Sequence, residues 1–336
     1  MRVMISAGGT VTAQSVVKAL REDGRASFVA IVDLDDLNAT KAFVDEFVRV
    51  PPADDPAFVP ACLDAVRRLG IEFFIPIIVE REFLPLEAAR EQFANFGCRV
   101  AVPSREIVLN AGDKLAFAAF LERLGIAGPK TVAYAPEMRS ARFPAYLKPR
   151  RGSGSVGTQR VESEEALHEA ARGRFDLIVQ DAVDGTEFTV DCFAAEPGRV
   201  VAAVPRERIA IKAGVSVKGR TYHHPGIETI ASDVVARTGI AGPANVQGML
   251  REDGSFSIIE MNPRFSGTLA LTTAAGINFA SLLLDQFEGK PIADMRGRHH
   301  AGITMMRYWS EFFEDPDGKA WLGTTMATCL QPDERR

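Results

Sequence analysis

Three oxygen-bearing side chains and an arginine are spaced so that they could meet: Gln247, then Glu260 and Asn262, then Arg264. Asp253-Gly254 separates the strand-like runs NVQGML and SFSIIEMN, and Asp-Gly is a strong hairpin signal. With Asp253 and Gly254 as the two loop residues, Gln247 falls opposite Glu260 and Asn245 opposite Asn262. Residues two apart in a strand share a face. Gln247, Glu260 and Asn262 therefore converge on one side, and Arg264 continues the row past the strand end. Hard cations such as Mg²⁺ take oxygen ligands and bridge to phosphates. A solvated hairpin face would carry the same residue types. The flanking MNPRF, whose Asn-Pro turn sets Arg264 beside the carboxylate, favours a cation site.

A second candidate is the glycine-rich turn. Gly152, Gly154 and Gly157, with Ser153 and Ser155 between them, spell G-x-G-x-x-G. The dinucleotide version of that motif opens a helix, but here the strand-like TQRV follows. A strand–turn–strand flap over phosphates fits better, because glycine backbone N–H groups approach oxygens closely. A flexible hairpin tip is the plain alternative. Lys148, just upstream, adds a cation. No GxxxxGK followed by Ser or Thr occurs, which excludes a P-loop.

Other residues carry weaker signals. Gly8-Gly9-Thr10 follows a strand, and Asp33 ends the next, but the glycine spacing is incomplete for a dinucleotide site. A tight strand-to-helix turn is favoured. Arg206, Arg208 and Lys212 alternate before Gly214, either as a solvated strand edge or as a loop meeting phosphate or an acidic substrate. His223-His224 reads as loop surface, because adjacent histidines do not share a face of a strand.

The elements that must position these residues follow from periodicity. Short apolar runs, RVMIS, Phe28–Asp33, Phe73–Val79 and Cys98–Pro103, alternate with helical segments around Ala39–Phe47, Pro56–Leu69 and Phe83–Phe96. That order predicts a parallel sheet with helices on its faces. A helix is expected from Ser104 to Leu124, stopped by Gly125. The texture then changes to paired strands: FPAYLKP with TQRV, EFTVDCFA with GRVVAAVP, and the Asp253-Gly254 hairpin. Ser163 should cap a helix, and helices over Leu269–Ala275 and Phe279–Phe287 end the fold. The last seven residues look frayed. The fold class is thus α/β, a parallel-sheet layer followed by an α+β part. The expected division is 1–103, 104–180 and 181–336.

Bulk properties narrow the class. Lys plus Arg is 39 against Asp plus Glu 44, a net charge of −5, which argues against a general nucleic-acid binder. The four cysteines form no CxxC pair, so zinc ligation by thiols has no support and a reduced, cytoplasmic setting is expected. No apolar span of membrane length is evident.

Taken in order, Asp113-Lys114, YLKPRRGSGSVG, VQDAVDGTEFTVD, NVQG and IIEMNPRFSG resemble the ATP-grasp superfamily. The likeness is greatest to the branch of the carbamoyl-phosphate synthase large subunit and related carboxylate–amine ligases. It runs from about Met1 to Gly289. It implies a pre-ATP-grasp domain followed by two subdomains clasping ATP. It also implies roles. Lys114 and Lys148 would hold ATP phosphates and the adenine edge, under the Gly152–Gly157 flap. Asp181 and the backbone of Val183 would face adenine, and Glu187 the ribose. Gln247, Glu260 and Asn262 would bind one or two Mg²⁺ ions, with Mn²⁺ also suited. Arg264, with Lys148 and Glu260, would serve catalysis. Two departures stand out: Asp181 and Gln247 occupy positions where relatives more often carry Glu.

The expected reaction is amide formation through an acyl phosphate, from a small carboxylate and an amine or amino acid. Arg206, Arg208, Lys212, Ser266 and Gly267 are the substrate candidates beside Arg264. A carboxyphosphate-forming enzyme, a thiol ligase or a non-catalytic ATP-binding regulator are the alternatives. A homodimer is in keeping with the family.

Overall fold

The computed structural model describes residues 1–139, 142–152, 154, 156–212, 214–317 and 320–323. Its first layer is a five-stranded sheet in the order Glu46–Arg49, Phe28–Asp33, Arg2–Ile5, Phe73–Ile75, Arg99–Val100. All four pairings are parallel. The central strand is buried on both faces at Val3, Met4 and Ile5, which is why its sequence is a continuous apolar run rather than an alternation.

Three expectations need correction here. The helix expected over Ala39–Phe47 is a 3₁₀ turn, Ala39–Phe43, followed by the edge strand Glu46–Arg49. The Phe- and Val-rich stretch pairs with Ala30–Asp33 instead of continuing the helical turn. The Phe73–Val79 strand stops at Ile75, because Pro76 has no N–H to give the ladder. The single helix expected from Ser104 to Leu124 is two, Arg105–Gly112 and Lys114–Arg123. Asp113 lies between them with extended backbone, and its carboxylate accepts from the N–H groups of Leu115 and Ala116 at 3.0 and 3.1 Å. It caps the second helix rather than continuing the first.

The second layer is a four-stranded antiparallel sheet, in the order Thr131–Ala133, Leu177–Asp181, Ala145–Pro149, Gln159–Val161. It buries its own cluster around Leu147, Val161, Leu167 and Val179. Ser163 caps the helix Glu164–Ala171, as expected, accepting from Ala166 N–H at 3.2 Å.

The third layer is a six-stranded antiparallel sheet. Its order is Phe256–Asn262, Gly242–Leu250, Thr186–Glu196, Arg199–Lys212, Val215–Thr221, Thr304–Met306. The stretch Arg206–Tyr222, for whose basic residues the sequence leaves a strand edge and a loop open, is mostly the end of one strand and the whole of the next. The helix Pro225–Thr238 carries Pro at its first position and Gly239 at its end, the start and stop signals of a helix.

The first and third layers share a core. Val16, Val17 and Leu20 of the helix Val11–Asp23 belong to one cluster with Phe193, Phe279 and Leu283. Arg25 reinforces this join, reaching Asp285 at 2.5 Å and the carbonyl of Ser281 at 2.9 Å. The terminal residues expected to be frayed lie outside the described residues. Among the described residues no helix is long and apolar enough to cross a membrane.

Candidate active site

A cleft of about 430 Å³ opens between the four-stranded and six-stranded sheets. From the smaller sheet and its connections come Lys114, Lys148, Gly152, Gly154, Asp181 and Val183. From the larger come Glu187, Arg208, Gln247, Glu260, Asn262, Arg264, Ser266 and Gly267. Two layers that fold around separate clusters therefore supply opposite walls of one cavity. Ser153 and Ser155 lie outside the described residues.

The hairpin sets the anionic wall. Gln247 pairs with Glu260 and Asn245 with Asn262, as the spacing predicts. The loop is nevertheless not the expected two-residue turn. The strands end at Leu250 and resume at Phe256, and Met249 pairs with Ser257. A bulge between the Gly248–Ile258 and Gln247–Glu260 pairs, with Ile259 as the extra residue, restores the register. Gly248 is required there: a Cβ would sit 2.5 Å from the Ser257 carbonyl oxygen. Asn262 Nδ2 donates to Glu260 Oε1 at 3.1 Å, which leaves its own carbonyl oxygen unused in that contact. Asn245, 2% exposed, donates to the Arg264 carbonyl at 3.1 Å and fixes the turn that carries Arg264. Its role was not anticipated from its residue type.

The cationic wall centres on Lys148, whose ammonium donates to Gln180 Oε1 at 2.6 Å. Burial pushes its pKa below the ordinary lysine value. Glu260 and Glu187 pull the other way, and Lys114 adds to the fall. Lys114 donates to the Gly152 carbonyl at 2.7 Å and so touches the base of the glycine turn. Asp113 anchors the same turn: Arg150 bonds its carboxylate at 2.8 and 2.9 Å, and Arg151 at 3.0 Å. Burial disfavours the Asp113 charge. The bonds from Arg150 and the Ala116 N–H outweigh it, so the carboxyl stays below its usual range. Gly152, Gly154 and Gly157 all have positive φ, which glycine adopts freely. Gly154 reaches across the cleft to Gly214, where an added Cβ would lie 3.0 Å from the Gly154 backbone.

The basic stretch divides. Arg208 points into the cleft, bridging Glu187 at 2.5 Å and Gln247 Oε1 at 3.1 Å. Arg206 lies on no solvated edge. It is 2% exposed and pairs with Asp191 and Thr268, with Ser266 at 3.1 Å, behind the cleft wall. Lys212 is exposed, its ammonium 5.4 Å from the Trp309 ring centroid, and does not line the cleft. The amino-terminal Gly8–Thr10 forms a packed turn. Gly9 N–H donates to Asp33 at 2.8 Å, and a Cβ on Gly8 would meet Ile31 at 2.7 Å.

Comparison with known proteins agrees with this geometry. The family described as "ATP-grasp in the biosynthetic pathway with Ter operon" matches residues 174–308, and the "PylC-like, N-terminal domain" matches residues 3–101. The carbamoyl phosphate synthase large chain of Rubrobacter xylanophilus is 23% identical over 280 residues, 75% of this chain and 25% of that protein. The vancomycin B-type resistance protein VanB of Enterococcus faecalis is 25% identical over 44% of this chain and 51% of its own length. The chain thus spans between a quarter and a half of these relatives. Among solved structures, the L-amino acid ligase of Bacillus licheniformis superposes with a TM-score of 0.71 at 17% identity, covering 94% of this chain and 82% of that one. The biotin carboxylase of Campylobacter jejuni gives 0.70 at 17% identity, over 87% and 72%. Residues 174–308 thus match an ATP-grasp family and residues 3–101 a PylC-like first domain, and the two walls that close on one cleft are those of an ATP-grasp fold.

Proposed function

We propose that the chain is an ATP-dependent carboxylate–amine ligase that forms an amide through an acyl phosphate and releases ADP and phosphate. The observation that carries this reading is the meeting of Lys148, Arg264 and the Glu260–Asn262 pair in one cleft beneath the glycine turn. An anionic carboxylate attacking an anionic phosphoryl group is repelled unless cations offset both charges. Lys148 and Arg264 would supply that charge. Lys114 and the turn N–H groups would bind the remaining phosphate oxygens.

Glu260, Asn262 and Gln247 present oxygen donors, the set a hard divalent cation takes, and they would hold Mg²⁺, which neutralises phosphate charge when bound. Gln247 is the weakest of the three, because Arg208 already donates to its oxygen. An acyl phosphate is lost to water unless the site closes. The contact between Gly154 and Gly214 is the natural place for closure. The amine would then displace phosphate, with no covalent protein intermediate. Bicarbonate in place of an organic acid remains a second reading, favoured by the similarity to carbamoyl phosphate synthase large chains.

Hydroxylamine trapping tests the intermediate. With ATP, Mg²⁺ and the accepted acid, the wild-type chain should yield a hydroxamate and Glu260→Ala none. Hydroxamate from Glu260→Ala at the wild-type rate would remove Glu260 from the chemistry.

A further inference from the structure

Outside the cleft lies a second cluster of ligand-type side chains: we propose that His223, Glu228 and His299 bind a transition-metal ion of the zinc class. One donor atom from each lies within 4.8 Å of the others, and none of the three lines the cleft. His223 Nδ1 is 3.6 Å from Glu228 Oε1, and the rings of His223 and His299 lie 4.2 Å apart. Two imidazoles and a carboxylate are a borderline donor set, suited to Zn²⁺ and its neighbours rather than to Mg²⁺.

The independent sign of a ligand is the state of His299. Its side chain is 2% exposed, and its Nδ1 has no hydrogen-bond partner. A buried polar atom left unpaired is costly. Nε2 lies 2.8 Å from the Tyr222 carbonyl. A carbonyl accepts only, so Nε2 carries the proton and Nδ1 keeps its lone pair. This is the arrangement by which a backbone carbonyl, bonded to one ring nitrogen, fixes a histidine's tautomer and turns the other nitrogen toward a metal.

The surrounding backbone holds the set in place. Gly302 N–H donates to the Thr221 carbonyl at 2.7 Å, and the Thr221 hydroxyl to the His300 carbonyl at 2.7 Å. His224 caps the helix Pro225–Thr238, and its own N–H donates to Glu228 Oε1 at 3.1 Å. His223 is 46% exposed, so solvent or a further ligand can reach an open coordination position. The ion would clip the segment after residue 298 to the start of that helix.

The test uses the full chain without a histidine tag, stripped of metal and supplied with Mg²⁺ and ADP to occupy the cleft. Zn²⁺ is titrated against a chromophoric chelator. One equivalent should bind, and His223→Ala and Glu228→Gln should each weaken it by at least about 10-fold. Both substitutions lie on partly exposed side chains, so a normal circular dichroism spectrum will verify that the variants fold. Failure of the wild type to bind Zn²⁺, or undiminished binding by both variants, would overturn the assignment.

Discussion

Gln247 faces Glu260 across the hairpin because Ile259 is an extra residue in its strand. Near the loop the register differs by one from the register at the site. Without the bulge, Gln247 would oppose Ile259, and the carboxylate would turn to the other face. A β-bulge next to a functional site commonly re-aims a side chain in this way. Gly248 makes it feasible by leaving room for the Ser257 carbonyl.

Gly248→Ala should therefore cost about 1–3 kcal/mol of stability by overpacking. ATP turnover should fall much further than stability does, because the bulge sets the carboxylate. Thermal melts and ADP release on the same preparation check this. Equal turnover by Gly248→Ala would detach the bulge from the site.

Asp113 carries two jobs that substitution can separate. Asp113→Asn keeps a capping oxygen for the helix Lys114–Arg123 but loses the charge that holds Arg150 and Arg151. Asp113→Ala loses both, and the cap alone is worth about 0.5–2 kcal/mol. The expected outcome is a raised KM for ATP in both variants, with a lowered thermal midpoint chiefly in Asp113→Ala.

How much of this was legible in the sequence depends on the range of the forces involved. The hairpin face and the glycine turn each rest on local spacing, so Glu260 with Asn262, and Lys148 with Gly154, follow from the residues, while their meeting in one cleft is what the family resemblance implies. The break at Asp113 is not legible locally, because its partners Arg150 and Arg151 lie far downstream. The burial of Arg206 is likewise non-local. Its alternation with Arg208 and Lys212 is a strand pattern, but its burial comes from Asp191, Ser266 and Thr268. His223 found partners in Glu228 and His299, and the neighbour rule that dismissed His223-His224 does not address partners so distant.

Arg206 and Asp191 form a buried ion pair. Asp191 also accepts from Thr272 at 2.5 Å and Ser266 at 3.1 Å. Removing one partner of a buried pair costs about 3–5 kcal/mol, since the other charge is left uncompensated. Arg206→Ala should lower stability by that order in denaturant titration. A variant of wild-type stability with only a raised KM would make Arg206 a substrate contact instead.

Lys148 gives the site a pH dependence. Its folded pKa lies below the ordinary 10.5 because the ammonium is buried. Between the lowered and the unfolded values the unfolded chain holds more protons, so this group's contribution to stability rises with pH across that window. Phosphate binding needs the charged form. ATP affinity should therefore fall as pH rises through the lowered pKa, by up to about tenfold per pH unit. Calorimetric titration from neutral to alkaline pH checks this, and Lys148→Gln should bind weakly with a flat profile.

The most direct test of the ligase reading is the nucleotide product. Purified chain would be incubated with Mg²⁺, ATP and a pooled library of small carboxylates, amines and amino acids, and ADP, AMP and phosphate measured. ADP and phosphate appearing only when an acid and an amine are both present is the expected result. AMP and pyrophosphate as products would contradict acyl-phosphate chemistry at this site.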